Sequence, residues 1–166
     1  MSEDLKQFSG DEVVRVPASL LRKSSIPKSS IDFLTTVGVP TREGLLFPFF
    51  RQAQDFLLWS NEGRSYLVLA EERGQKLCLD LQTGNIFMVD SRGELPTRFV
   101  NSDIESLVSF LKFYSDAQTT FRQSPEGAPK IISDLRGFFA RKDPRALEGD
   151  ENWWAVILEQ TEEGLM

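Results

Sequence analysis

Carboxylate pairs are the main acid–base equipment in this 166-residue chain, which contains no histidine. Without histidine there is no Ser-His-Asp triad, no imidazole proton shuttle and no imidazole-ligated metal. Adjacent carboxylate pairs include Glu71-Glu72, Asp150-Glu151 and Glu162-Glu163. A two-carboxylate hydrolase needs both acids aimed at one bond. Neighbours on a strand point to opposite faces, so adjacency alone does not make a dyad. Solvated surface charge is the better reading of all three pairs.

The single cysteine, Cys78, excludes an internal disulfide and a cysteine-cluster zinc site. It sits in Lys76-Leu77-Cys78-Leu79-Asp80. A reactive thiolate needs a nearby cation or a helix N-terminus, and Lys76 is the candidate cation. The competing and favoured reading is a small strand residue that packs as a hydrophobe. Neither G-x-G-x-x-G nor G-x-x-x-x-G-K-S/T occurs, and there is no G-x-S-x-G elbow. A lysine-activated serine stays open on composition alone. No cofactor and no metal are expected.

Charge points towards a protein partner. Lysine plus arginine number 19 against 25 acids, a net charge of −6. Such a chain is repelled by nucleic-acid phosphate and by anionic membranes, and suits a basic partner. Six acids and no base follow from Glu148 to the end, while Arg122 to Arg145 holds six bases and three acids. Phe121, Phe138 and Phe139 in that basic stretch suggest a base-stacking platform, but their helical spacing favours core packing. Of Trp153-Trp154, one ring is expected to anchor the core. The other either packs under a helix or stands out as an interface anchor.

The elements that must position these residues follow from periodicity. A short strand is expected at Glu12–Val16, then a helix over 30–37 capped by Ser29 or Ser30. Phe33, Leu34 and Val37 line one face, and Gly38 and Pro40 end it. Five short strands follow at 45–50, 55–59, 65–71, 76–81 and 85–90, joined by Gly-containing turns that force antiparallel pairing. Ser102-Asp103-Ile104-Glu105 reads as a capping box before a helix with Ile104, Leu107, Val108 and Leu111 in one stripe. Residues 122–129 read as a loop. A third helix spans 130–142, and 152–160 reads as a last buried strand. The sum is an α+β fold of one domain, 1–166, with residues 1–28 as an N-terminal extension. Its central, largely antiparallel sheet has about six strands flanked by helices.

The order of these signals is distinctive. Phe33-Leu34-x-x-Val37-Gly38-Val39-Pro40 is followed by Leu46-Phe47-x-Phe49 and Tyr66-Leu67-Val68-Leu69. Next come Leu79-Asp80-x-x-Thr83-Gly84-x-Ile86 and Phe99-Val100-Asn101-Ser102 opening a helix. Trp153-Trp154-x-x-Ile157-Leu158-Glu159-Gln160 closes the series. Over residues 30–160 the chain resembles the SUKH superfamily of immunity proteins, in particular its fourth immunity group. That resemblance implies a SUKH-like fold and a non-enzymatic antidote in a bacterial polymorphic-toxin system. The antidote would bind and block a cognate toxin domain, a nuclease or nucleic-acid deaminase. The alternative is a regulatory scaffold of the same fold. The acidic charge fits a basic toxin that must itself hold phosphate. The expected toxin-binding acids, read as exposed, are Glu71, Glu72, Asp90, Asp150 and Glu151. No nucleic acid is bound directly and no membrane is engaged. The chain is expected to be a monomer or weak homodimer. Its polar, acidic start lacks a signal-peptide pattern, and its longest apolar run, Trp153–Leu158, is too short to span a bilayer, so a cytoplasmic location is expected.

Overall fold

The computed structural model of the chain describes residues 13–41, 46, 49–123 and 125–164. Strand β1 (Val13–Val14) pairs antiparallel with β2 (Val39–Pro40). Between them lie α1 (Ala18–Leu21) and α2 (Lys28–Asp32), the latter running on as a π-helical turn through Phe33–Val37. The helix therefore begins two residues before the expected start. Neither Ser29 nor Ser30 caps it: Pro27 occupies the cap position, and its carbonyl accepts from the Ser30 N–H at 3.0 Å. Gly38 closes the turn at φ 88, and a Cβ there would stand 2.5 Å from the Val14 carbonyl oxygen. Both facts leave glycine as the residue that fits.

The main sheet is an antiparallel meander in the order β3-β4-β5-β6-β7. Its strands are β3 (Leu57–Asn61), β4 (Arg64–Glu72), β5 (Gln75–Asp80), β6 (Ile86–Asp90) and β7 (Arg98–Asn101). Two-residue turns join β3 to β4 and β4 to β5, with Glu62 and Gly63 at φ 48 and 78 and Arg73 and Gly74 at φ 52 and 88. Positive φ at both central positions is the type I′ geometry, whose twist matches that of the flanking strands.

Two expectations about strands are corrected. Residues 152–160 are not a strand: Asn152 is the N-cap of helix α5 (Trp153–Glu162), which takes in the rest. Trp154, Ile157 and Leu158 are its buried residues, a helical i, i+3, i+4 set. The fifth meander strand is instead β7, formed by residues expected to open a helix. Half of the expected strand at 45–50 lies outside the described residues; within them, Phe49 makes an isolated bridge to Ala70. The α+β class holds: among the described residues a central antiparallel sheet of five strands, with a separate two-stranded sheet, is flanked by helices.

Helices α3 (Ile104–Gln123), α4 (Ala128–Lys142) and α5 pack together, and α3 and α5 also meet β7. The expected loop at 122–129 narrows to a turn at Pro125–Gly127. The core is aromatic. The Phe110 and Phe139 rings stack at 3.9 Å, and the Trp154 ring meets Phe139 at 4.8 Å and Phe110 at 5.4 Å. Phe138 stacks on Phe113 at 4.2 Å. These phenylalanines are core, not a base-stacking surface. Leu67, Leu69, Leu77, Leu79, Ile86 and Val100 turn towards this core. The opposite sheet face gathers Tyr66, Val68, Cys78 and Val89 beside Phe50, Trp59 and Phe87.

Candidate functional site

The most specific sequence motifs meet in one buried hydrogen-bond network. Asn101 is fully buried at the end of β7; its Nδ2 donates to Asp143 Oδ2 at 3.0 Å, and its Oδ1 accepts from Trp154 Nε1 at 2.9 Å. The Ser102 N–H donates to the same carboxylate at 2.7 Å, and the Ser102 hydroxyl reaches its other oxygen at 2.8 Å. Asp143, just past α4, thus ties the strand end to the α4 terminus, and Asn101 ties both to α5. Every polar atom in this cluster has a partner, the condition under which buried polar groups stabilise a fold. The capping box is corrected accordingly. Asp103 caps α3, its Oδ1 accepting from the Ser106 N–H at 2.7 Å, because Ser102 is engaged with Asp143. Glu105 instead faces Lys142 at 3.5 Å.

The catalytic candidates separate. Cys78 is fully buried, and desolvation pushes its thiol up to about 12 although Lys76 acts in the opposite direction. Burial outweighs the single cation, and the thiol stays protonated. Glu71 lies opposite Lys76 in the β4–β5 register and Glu72 opposite Gln75, so the two carboxylates take opposite faces. Glu162 pairs with Arg136 at 3.0 Å. Among the described residues, no cluster of cysteine and acidic side chains could hold a metal ion. Nor, among the described residues, is any helix long and apolar enough to cross a membrane.

The surface acids fall into three kinds. Asp90 is corrected: its side chain is 1% exposed, so it is not a surface charge. Its carboxylate accepts from the backbone N–H groups of Arg92 at 3.1 Å, Glu94 at 2.9 Å and Leu95 at 3.0 Å, shaping the turn after β6. The Arg92 N–H, then those of Leu95 and Glu94 and the Arg92 guanidinium, hold its pKa below the usual aspartate value against opposing desolvation. Glu71 and Glu151 are exposed but paired, with Lys76 at 2.5 Å and with Arg98 at 3.7 Å. Glu72 and Asp150 are exposed, and no ion pair joins them to another described residue.

The fold brings the first pair of acids to a cleft of about 410 Å³. Ala70, Leu77, Met88 and half-buried Trp153 supply its apolar lining; Glu71, Glu72, Arg73 and Arg92 supply its charges. Arg98, opposite Met88 in the register, carries Glu151 to the neighbourhood of this cleft. Trp154 is thus the core anchor and Trp153 the half-exposed ring. The sequence pairs the two tryptophans but does not place Trp153 beside the β4–β5 hairpin. Only the helical phase of α5 does so. Arg73 and Arg92 were not anticipated, since nothing in their spacing marks them.

Compared with known families, residues 2–160 match the model of the SUKH-4 immunity protein family. No curated protein and no solved structure matches the chain.

Proposed function

Since the chain belongs to the SUKH-4 immunity protein family, we propose that it neutralises a cognate bacterial toxin domain by stoichiometric binding. The toxin is a basic nuclease or nucleic-acid deaminase of a polymorphic-toxin system, met in the cytoplasm. The observation that carries this reading is the family membership, and the chemistry agrees with it. The net charge of −6 suits capture of a phosphate-binding surface.

The proposed contact face is the end of the sheet around the Trp153 cleft, bounded by Glu71, Glu72, Asp150 and Glu151. Trp153 supplies a half-buried aromatic anchor beside charges of both signs, the composition that interface centres favour. Glu72 and Asp150 carry most of the attraction, because Glu71 and Glu151 already face cations. Long-range charge of this kind raises association rates by ~10–10³-fold and weakens with salt.

The test is co-expression with the toxin encoded beside this chain. The reading expects growth arrest by the toxin alone and full rescue with the chain. If the chain instead retains only ordinary cellular proteins and rescues from no toxin, the regulatory-scaffold reading replaces it.

A further inference from the structure

We propose that Asn101 and Asn152 are positioning residues for Trp153: they hold the first turn of α5 so that its leading indole stands preset at the cleft and slows toxin release. The proposal rests on the toxin-binding role given above to the Trp153 face, and its test separates the two.

Trp153 is the first residue of α5, in a turn that local signals leave unsupported. The first bond within the helix runs from the Val156 N–H to the Asn152 carbonyl at 3.1 Å, so the N–H groups before it have no acceptor inside the helix. Asn152 occupies the cap position, yet its side chain makes no cap hydrogen bond. The first turn also carries no acid to meet the helix dipole. A helix of ten residues has little intrinsic hold on such a start. Fraying there would carry Trp153 away from the cleft.

Two tertiary hydrogen bonds supply the missing hold, and both lead to β7. The Asn152 amide turns away from the helix, and its Nδ2 donates to the Arg145 carbonyl at 2.9 Å. The Arg145 guanidinium in turn lies 4.9 Å over the ring of Phe99 in β7. One residue past Trp153, Trp154 Nε1 donates to Asn101 Oδ1 at the end of β7 at 2.9 Å. Asn101 is itself fixed by its bond to Asp143 at 3.0 Å. Successive helical residues stand about 100° apart around the axis, so fixing the direction of Trp154 fixes that of Trp153. The two rings meet edge to face at 4.7 Å and 86°, which passes the constraint on directly. The result is an indole held beside Leu77, Met88 and Arg92. An asparagine that gives up its cap for a distant carbonyl breaks a local rule, and such breaks gather at functional sites.

A preset anchor acts on release rather than on encounter. Long-range charge governs the association rate, whereas contacts of the bound state govern dissociation. An anchor that must be ordered on binding holds its partner less tightly.

The experiment follows association and dissociation of the toxin encoded beside this chain. It compares the parent with Asn152→Ala, Trp154→Phe, Trp153→Ala and the double variant Asn152→Ala, Trp153→Ala. Asn152→Ala and Trp154→Phe should each release toxin about two- to tenfold faster, the factor that one net hydrogen bond represents, with association and its salt dependence unchanged. Adding Asn152→Ala to Trp153→Ala should change nothing further, because the bond acts through that ring. Asn152→Ala carries the test if Trp154→Phe fails to fold, since its bond lies at the surface. The proposal is overturned if Asn152→Ala releases toxin at the parent rate, or if its effect is as large without the Trp153 ring as with it. A second measurement needs no toxin. With Trp59→Phe in the background, acrylamide reaches Trp153 alone, because Trp154 is fully buried. Quenching should rise in Asn152→Ala, and unchanged quenching also overturns the proposal. A parent that binds no toxin refutes the toxin-binding reading instead, and quenching then decides the positioning of Trp153 by itself.

Discussion

Replacing Asn101 by aspartate changes one atom of the buried network and inverts its chemistry. Nδ2 of Asn101 donates to Asp143 Oδ2 at 3.0 Å in a fully buried position. Asn101→Asp puts a carboxylate oxygen where that donor was. The lost hydrogen bond to a charged acceptor is worth about 1.5–3 kcal/mol. Two unit charges at this separation repel by roughly 5 kcal/mol at an effective dielectric near 20. The cheaper escape is protonation of the introduced carboxyl, which then donates to Asp143 while its other oxygen still accepts from Trp154. Holding a proton at pH 7 on a group with an ordinary value near 4 costs about 1.4 kcal/mol per pH unit, or about 4 kcal/mol. The introduced group has a folded-state pKa above its unfolded value. Its destabilisation is therefore small below about pH 4 and grows as pH rises. Against a total stability of about 5–15 kcal/mol for a native domain, a loss of about 4 is large. Urea unfolding of parent and variant at pH 7 and pH 5 measures it, the difference at each pH cancelling their shared titration. The expected loss is about 4 kcal/mol at pH 7 and roughly 1–2 at pH 5. A loss below about 1 kcal/mol at pH 7, or one that does not shrink by pH 5, would show that Asn101 does not hold a proton-bearing donor against an ionised Asp143.

Three further outcomes follow from the same geometry. Asp90, held below its ordinary value by the Arg92, Leu95 and Glu94 N–H groups, adds stability that is full above about pH 4 and lost as pH falls through its depressed folded value. The acid-side fall in urea midpoint should therefore be shallower in Asp90→Asn, and identical slopes would contradict that role. Cys78 should resist a thiol reagent at pH 8 in the native protein and react once urea unfolds it; native labelling at the unfolded rate would show that burial does not protect it. Gly38→Ala should destabilise by about 2 kcal/mol or more, since the φ of 88 and the Val14 carbonyl at 2.5 Å both oppose a Cβ, and an unchanged melting temperature would contradict this.

What the sequence discloses depends on whether the signal is local. The β4–β5–β6 meander is legible because Arg73-Gly74 and Thr83-Gly84 punctuate short apolar runs, and turn chemistry acts over two residues. The α3 stripe is legible for the same reason, although the choice between Ser102 and Asp103 as cap is not. That choice is decided by Asp143, some forty residues away, which takes Ser102 for itself. Trp153–Leu158 is ambiguous because a run apolar on every face suits a buried strand and a buried helix alike. Contact with Phe139, Phe110 and Asn101 selects the helix. The family resemblance rested on residues that build the fold: Gly38 at a turn, Asn101 and Ser102 on Asp143, and Trp154 in the core. The acids were legible as charges but not by environment. Asp90 reads like the others and is consumed by three backbone donors, whereas Glu72 and Asp150 stay exposed.

The proposed mode of action is stoichiometric capture of a basic toxin through the acids around the Trp153 cleft. The most direct measurement titrates the neighbouring toxin's activity with the chain and follows association at low and raised salt, for the parent and for a Glu72→Lys, Asp150→Lys, Glu151→Lys variant. Complete inhibition is expected at one chain per toxin. The variant should associate at least about tenfold more slowly at low salt, with a flatter salt dependence. Unchanged association by the triple variant would contradict the assigned face, and turnover of a toxin by substoichiometric chain would contradict stoichiometric capture itself.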